Sequence, residues 1–435
     1  MSLSKDDARY LWHPFTQHGH AETSFLPVVS ARGSFLFDEA GRKILDLISS
    51  WWVITHGHAH PKLVAAMADQ AARLDQVIFA GITHEPAVTL GRRLQGALGR
   101  RELWKLFFSD NGSTAVEVAL KMALHAQSNR GYPEKKMYLA FQGGYHGDTV
   151  GAMSVGRSSG FFDPYQRFLF PVQTIPYPDT WWDDPDIVRK EEESLTTLSH
   201  HLKTGKIAGM ILEPLIQGAS GMRVCRAAFV NQVVRLCQDA GALVIFDEVM
   251  TGFGRTGSLF AFHQLSQAPD IICLAKGLTG GMMPMSLTCA SEAVFDAFLS
   301  TDFYRCLIHG HSFTANPIAC AVANRSLWMF EEEQTLDNIA AINRVHQKAL
   351  ADLQSAGLAH RPRVLGSLAA FDITPEPVSY DTEKNHHLKR LFLEEGLLLR
   401  PLGGTLYLMP PYCTALGDLE DAYTRIASIL RKGRS

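Results

Sequence analysis

Long apolar runs are missing from this sequence. No stretch approaches the roughly 20 residues needed to span a bilayer, and the opening MSLSKDDARYLWHPF has no apolar core of the kind a secretory leader carries. Cysteine is scarce, at 7 in 435 residues, an odd count with no CxxC pair. That excludes a disulfide framework and fits free thiols in a reducing compartment. A cytoplasmic protein with no membrane partner is therefore expected. A charge excess is absent too: Lys+Arg 41 against Asp+Glu 44 leaves a net charge of -3. Nucleic-acid binders carry a basic excess or patch, so no nucleic-acid partner is expected. The densest charged stretch, Lys190-Glu191-Glu192-Glu193, reads as a solvated helix face. Neither a low-complexity tract nor a repeat of about 20–50 residues interrupts the chain.

What is present is an alternation. Lys105–Phe108, Met137–Phe141, Ile207–Leu212, Ala242–Phe246 and Ile271–Leu274 are short apolar runs that read as buried strands. Amphipathic stretches such as Ala115–Gln127 and Ala228–Ala240 lie between them. Strand–helix alternation predicts an α/β fold with a mostly parallel sheet covered on both faces. The length allows roughly two or three domains. We expect one large domain over residues 61–325. A smaller α+β domain is expected from both chain ends, residues 1–60 and 326–435. The first end carries strands near 27–30 and 34–38. The second carries strand-like pieces at Val364–Asp372, Leu397–Arg400 and Thr405–Met409, then a last helix running into Arg431-Lys-Gly-Arg. Residues 176–195, rich in Pro, Trp and Asp, read as a surface excursion.

Several loops after strands carry candidate chemistry. In FDEVMTGFGRTG, residues 246–257, a buried strand runs directly into Asp247, and ligands of parallel sheets sit beyond the carboxyl ends of strands. A turn or capping acid is the plainer alternative. Gly252-x-Gly254-x-x-Gly257 matches a dinucleotide fingerprint weakly, because five residues, Asp247–Thr251, separate it from the strand. A structural loop is favoured there over a nicotinamide dehydrogenase. Lys276 follows the apolar strand Ile271–Leu274 among small residues. Burial would lower its pKa and leave a nucleophilic amine suited to Schiff-base chemistry, whereas a snorkelling lysine is the bland reading. Asp247 and Lys276 together point to pyridoxal 5'-phosphate, which needs a lysine and an acid against its ring nitrogen. Asp110-Asn-Gly-Ser-Thr114, opening a helix with Thr114 and Glu117 at capping-box spacing, offers a phosphate site or simply a cap. Tyr145, on the turn Gly143–Gly147, offers a face for a planar ring. His56-x-His58-x-His60 has no acid or thiol at zinc-like spacing and reads as a turn entering a helix at Pro61, so no metal is expected.

On these pieces the sequence resembles the class III, ω-amino acid type of fold-type I aminotransferase over nearly its whole length. The carriers are DNGSTAVEVALKMA (110–123), GGYHGDTVGAMSV (143–155), ILEPLIQGASGM (211–222), FDEVMTGFGRTG and LAKGLTGG (274–281). A narrower likeness, to class members that serve biotin synthesis, rests on WHPFTQ (12–17), SSWWVITHGHAHP (49–61), GITHEPA (81–87), HGHSFTANPIACAVAN (309–324) and LRPLGGTLYLMPPY (399–412).

The resemblance implies a homodimer with shared active sites and pyridoxal 5'-phosphate as cofactor. It implies transfer of an amino group from S-adenosylmethionine to 8-amino-7-oxononanoate, with lysine or another ω-amino acid as the alternative donor. It further implies that Lys276 forms the Schiff base and moves the proton, Asp247 pairs with the ring nitrogen and Tyr145 stacks on the ring. Gly112 and Ser113 would bind phosphate together with Ser312 from the second subunit. Trp51, Trp52, Phe15 and Arg400 would line the substrate cavity, with Tyr407 and Arg255 as further pocket residues and Glu213 behind them. Phe15 stands where such enzymes usually carry Tyr, and His311-Ser312 where they carry Pro-Thr.

Overall fold

The computed structural model describes residues 3–19, 25–99, 103–156, 161–376 and 382–432. Gly433 and Arg434, at the end of the expected last helix, lie outside them.

A seven-stranded sheet forms the centre, in the order Trp104–Ser109, Ser286–Ser291, Ile271–Leu274, Leu243–Asp247, Ile207–Leu212, Met137–Phe141 and Gln173–Ile175. All of its pairings are parallel except those of Ser286–Ser291, which runs antiparallel to both neighbours. The expected mostly parallel α/β sheet is observed. Ser286–Ser291 escaped the sequence reading because SLTCAS carries no apolar run. It is nonetheless wholly buried, and two of its hydroxyls are satisfied: Ser286 donates to the Asn111 carbonyl (2.6 Å) and Thr288 to the Ala115 carbonyl (2.8 Å). Helices such as Gly112–Asn129 and Ala227–Asp239 cover the sheet with apolar faces.

Two smaller sheets use the chain ends. Val28–Arg32, Phe35–Asp38 and Lys43–Asp46 are joined by Leu397–Leu398, which pairs parallel with Lys43–Asp46. His360–Leu365, Leu368–Asp372 and Thr405–Leu408 form the third sheet. A single apolar core runs from Leu45 and Trp52 near one end to Ile426 and Leu430 near the other.

The structure departs from the sequence reading in several places. Val364–Asp372 is not one strand but the facing halves of a hairpin turning at Gly366. That glycine has φ +59, and a Cβ there would lie 2.2 Å from the Gly257 nitrogen. The Lys190–Glu193 stretch is only partly solvated: Glu191 is buried and receives two bonds from the Arg226 guanidinium, at 2.8 and 2.5 Å. The stretch 176–195 is only in part a surface excursion: Tyr177 is buried in the core, the Thr180 and Trp182 N–H groups donate to the Val224 and Pro362 carbonyls, and the last residues begin the helix Ile187–Leu202. The helix at Gly112 is capped by Asn111 and Thr114 reciprocally, not by Thr114 and Glu117. Glu117 instead accepts from the Gly151 and Ala152 N–H groups (2.6 and 3.1 Å), capping the neighbouring helix Val150–Val155.

Arg255, expected in the pocket, is a structural bolt. It is buried and donates to the carbonyls of Trp52 (3.2 Å), Ile54 (2.9 Å) and Pro410 (3.2 Å), tying the two chain ends to the central loop. Its guanidinium also lies 4.9 Å from the Tyr412 ring centre. Gly252, Gly254 and Gly257 turn beside it, and a Cβ on Gly254 would strike Ile339 at 2.6 Å, so that loop is a packing device and opens no helix. Arg255→Met should lower the unfolding free energy by about 3 kcal/mol, because three buried carbonyls lose their donor. Denaturant titration would show it, and an unchanged midpoint would contradict the bolt.

Candidate active site

Beyond the carboxyl ends of the parallel strands lies a cavity of about 770 Å³. Its floor is built by strand ends. Leu243–Asp247 delivers Asp247, which is buried. The Asp247 Oδ2 faces His146 Nδ1 at 2.7 Å, and Oδ1 accepts from the Val249 N–H at 3.1 Å. Ile271–Leu274 delivers Lys276, whose backbone takes the left-handed φ of +47. Its Nζ lies 4.6 Å from the centre of the Trp52 ring. Burial pushes this amine down to about 8, against the opposing pull of Asp247 and Glu213. On the order of a tenth of Lys276 is therefore unprotonated, and hence nucleophilic, near neutral pH, far more than for an ordinary lysine.

The mouth is aromatic. Phe15 meets Trp51 and Phe161 edge-on, each at 5.9 Å between ring centres. The Arg400 guanidinium stacks 5.0 Å from the Trp51 ring centre. Trp52 turns inward and donates from Nε1 to the Tyr407 hydroxyl at 2.9 Å. The backbone that aims these two tryptophans is strained: Ser49, Ser50 and Trp52 all have positive φ. Side chains hold it there. Asp46 accepts from the Ile48 and Ser50 N–H groups, and the Ser49 hydroxyl donates to the Met409 carbonyl at 2.7 Å. The neighbouring histidines serve the same framework: His58 Nε2 faces Asp46 at 2.8 Å, and His60 caps the helix that opens at Pro61.

One wall carries an anion cradle. The Asn111 side chain takes the Thr114 N–H, which leaves the Gly112 and Ser113 N–H groups without a protein acceptor among the described residues. Gly147 closes against this turn with φ +122, and a Cβ there would sit 2.3 Å from Ser113 Oγ. Ser113 and Thr149 share a 2.7 Å hydroxyl bond that joins the helix to the Tyr145 turn. Tyr145 lines the cavity and donates to Asp148 at 3.0 Å. Burial, then the Asp148 charge, raises its phenol, so it stays neutral.

Pyridoxal phosphate fits these residues: unbonded N–H groups at a helix start for its phosphate, a buried acid for its ring nitrogen, a phenol ring nearby and a buried lysine whose amine is pushed down. Of the expected site residues, Lys276, Asp247, Tyr145, Gly112, Ser113, Trp51, Trp52, Phe15, Arg400, Tyr407 and Glu213 all line the cavity. Arg255 does not, for the reason given above. Ser312 is exposed and lies outside it, its carbonyl accepting from Gln76 at 3.1 Å. Sequence reasoning missed His146, although it adjoins Tyr145 in a motif already singled out. Only the fold reveals that its ring meets Asp247. Gly147→Ala should weaken pyridoxal phosphate binding about tenfold or more, since the cradle must open to admit the methyl group. Absorbance titration of the cofactor-free protein would measure it, and unchanged affinity would remove the cradle.

A protein of Synechococcus elongatus named adenosylmethionine-8-amino-7-oxononanoate aminotransferase is 46% identical, with 97% of this chain and 98% of the relative aligned. The crystal structure of the protein of that name from Methanocaldococcus jannaschii superposes with a TM-score of 0.90 at 30% identity, covering 98% of each chain. An amine transaminase from an uncultivated Pseudomonas species, solved with pyridoxal phosphate bound, gives 0.90 at 28% identity over 97% of each chain. The family model for class III aminotransferases matches residues 16–430. With its fold-type I architecture and a cavity fitted to pyridoxal phosphate, this chain belongs to the class III aminotransferase family.

Proposed function

We propose that this protein transfers the amino group of S-adenosylmethionine to 8-amino-7-oxononanoate, giving 7,8-diaminononanoate in biotin biosynthesis. The observation that carries this reading is one cavity joining a buried Lys276, whose amine burial pushes down, to an aromatic mouth with a single stacked arginine. The full-length likeness to a relative named for this activity supports it. A long aliphatic chain ending in a carboxylate suits the faces of Trp51 and Phe15 with Arg400 as the anchor. One cavity serving both substrates in turn implies ping-pong kinetics.

Pyridoxal phosphate, when bound, supplies the electron sink that stabilises a carbanion at the amino-bearing carbon. The chain's own groups do the rest. Lys276 holds and returns the proton at that carbon, which its depressed amine suits it to do. Asp247, held by His146, would pair with the ring nitrogen. Tyr145 would offer its ring as a wall, while Gly112 and Ser113 would hold the phosphate. The aromatic mouth excludes water from the reacting carbon. We further propose a cytoplasmic homodimer in which Ser312 of the partner subunit completes the phosphate site. Support comes from the exposed apolar side chains of Trp12 and Phe313 and the position of Ser312 outside its own cavity. Among the described residues no helix is long and apolar enough to cross a membrane. We propose domain limits at residues 1–60, 61–325 and 326–435, supported by the core shared between the chain ends.

The test is a donor panel on the pyridoxal phosphate-loaded protein. S-adenosylmethionine should bleach the cofactor absorbance, and added 8-amino-7-oxononanoate should restore it, with 7,8-diaminononanoate identified by mass. Bleaching by lysine or another ω-amino acid alone would overturn the donor. Lys276→Ala should abolish turnover. Arg400→Ala should raise KM for 8-amino-7-oxononanoate about tenfold or more, the scale of a charge-assisted pair, while Arg431→Ala should leave it unchanged. Equal effects would remove Arg400 from the site.

A further inference from the structure

Glu213 follows the strand Ile207–Leu212 and is buried in the cavity wall. Each of its carboxyl oxygens has one backbone donor: Oε1 accepts from the Tyr145 N–H at 3.2 Å and Oε2 from the Gly218 N–H at 2.8 Å. It thus pins the turn that carries Tyr145 to the loop after its own strand. The ionisable groups around it are His146 and Asp247 on one side, Lys276 across the cavity, and the phenols of Tyr145 and Tyr177. His146, between the two acids, has its Nε2 buried with no partner among the described residues. The buried wall therefore brings together two carboxyls, an imidazole and one amine, and no step described so far uses the second carboxyl.

We propose that Glu213 is a positioning residue whose charge sets how readily Lys276 gives up its proton, while its two backbone bonds hold the Tyr145 turn in place. The inference rests on the reading that Lys276 is the reacting amine. The sign follows from Coulomb attraction. An ionised Glu213 favours the Lys276 ammonium, and a protonated one releases it. Burial, reinforced by the Asp247 charge, pushes the Glu213 carboxyl up to about 7, whereas His146 and the two N–H donors oppose that rise. Glu213 consequently changes charge just below the range in which Lys276, at about 8, does so. As the pH falls, Glu213 takes up a proton and weakens the hold on the Lys276 proton. The reactive amine is thereby available at lower pH than it would be beside a permanently ionised Glu213.

The test uses the full-length protein freed of cofactor. Brief pulses of acetic anhydride at a series of pH values label unprotonated amines, and peptide mass spectrometry reads the fraction at Lys276. Glu213→Gln should move the Lys276 midpoint downward by on the order of one pH unit, the effect of removing one nearby negative charge. Glu213→Asp, which keeps the charge, should leave the midpoint close to that of the parent. An unmoved midpoint in Glu213→Gln, or equal shifts in both variants, would overturn the proposal. Should Glu213→Gln fail to fold, Glu213→Ala takes its place as the neutral side chain under the same criteria. Borohydride reduction of the pyridoxal phosphate-treated protein tests the underlying reading separately. A pyridoxyl group on Lys276 upholds that reading, and its absence there defeats it whatever Glu213 does.

Discussion

The structure is organised around a buried carboxylate. Asp247 ends a central strand with almost no exposure, and an unpaired charge in that position would be strongly destabilising. His146 at 2.7 Å and the Val249 N–H at 3.1 Å are what make it tolerable. Each requirement recruits another element. His146 must come from the turn after Met137–Phe141, and that turn must be held, which the Glu213 carboxyl and the Ser113–Thr149 hydroxyl pair do. The turn in turn closes on the helix start at Gly112 through a glycine that admits no side chain. The anion cradle, the phenol wall and the acid are therefore parts of one bonded unit.

Lys276 is the counterpart just past the neighbouring strand. Its burial disfavours the ammonium, while Asp247 and Glu213 restrain the shift, so it stops at about 8. A left-handed backbone at Lys276, together with those at Ser49, Ser50 and Trp52, places strain on both sides of the cavity. Arg255 absorbs part of it by fastening the carbonyls of Trp52 and Ile54 from behind. A cation buried among carbonyls is thus spent on geometry, leaving Arg400 to face the cavity from its stack on Trp51.

Much of this was legible before folding. The five apolar runs became strands within one or two residues of their expected limits, because a run buried on both faces leaves a continuous apolar signal. The strand Ser286–Ser291 left none, since small polar side chains can be buried once their hydroxyls find carbonyls, and those partners lie far away in sequence. Glu191 and Glu117 misled for a related reason. A glutamate reads as solvated or as a local cap until the fold supplies Arg226 or a foreign helix start.

By itself the sequence determined the fold class, the cofactor type and which residues stand at strand ends, because periodicity, strand-end position and short motifs are local properties. Tertiary structure alone decided which of the candidates meet. His146 reaches Asp247 across 101 residues, Trp52 reaches Tyr407 across 355, and Arg255 turns away from the cavity to carbonyls more than a hundred residues distant in both directions. Hydrogen bonds and desolvation act through space, so the protonation of Lys276 and Glu213 belongs to the folded cavity and to no segment of the chain.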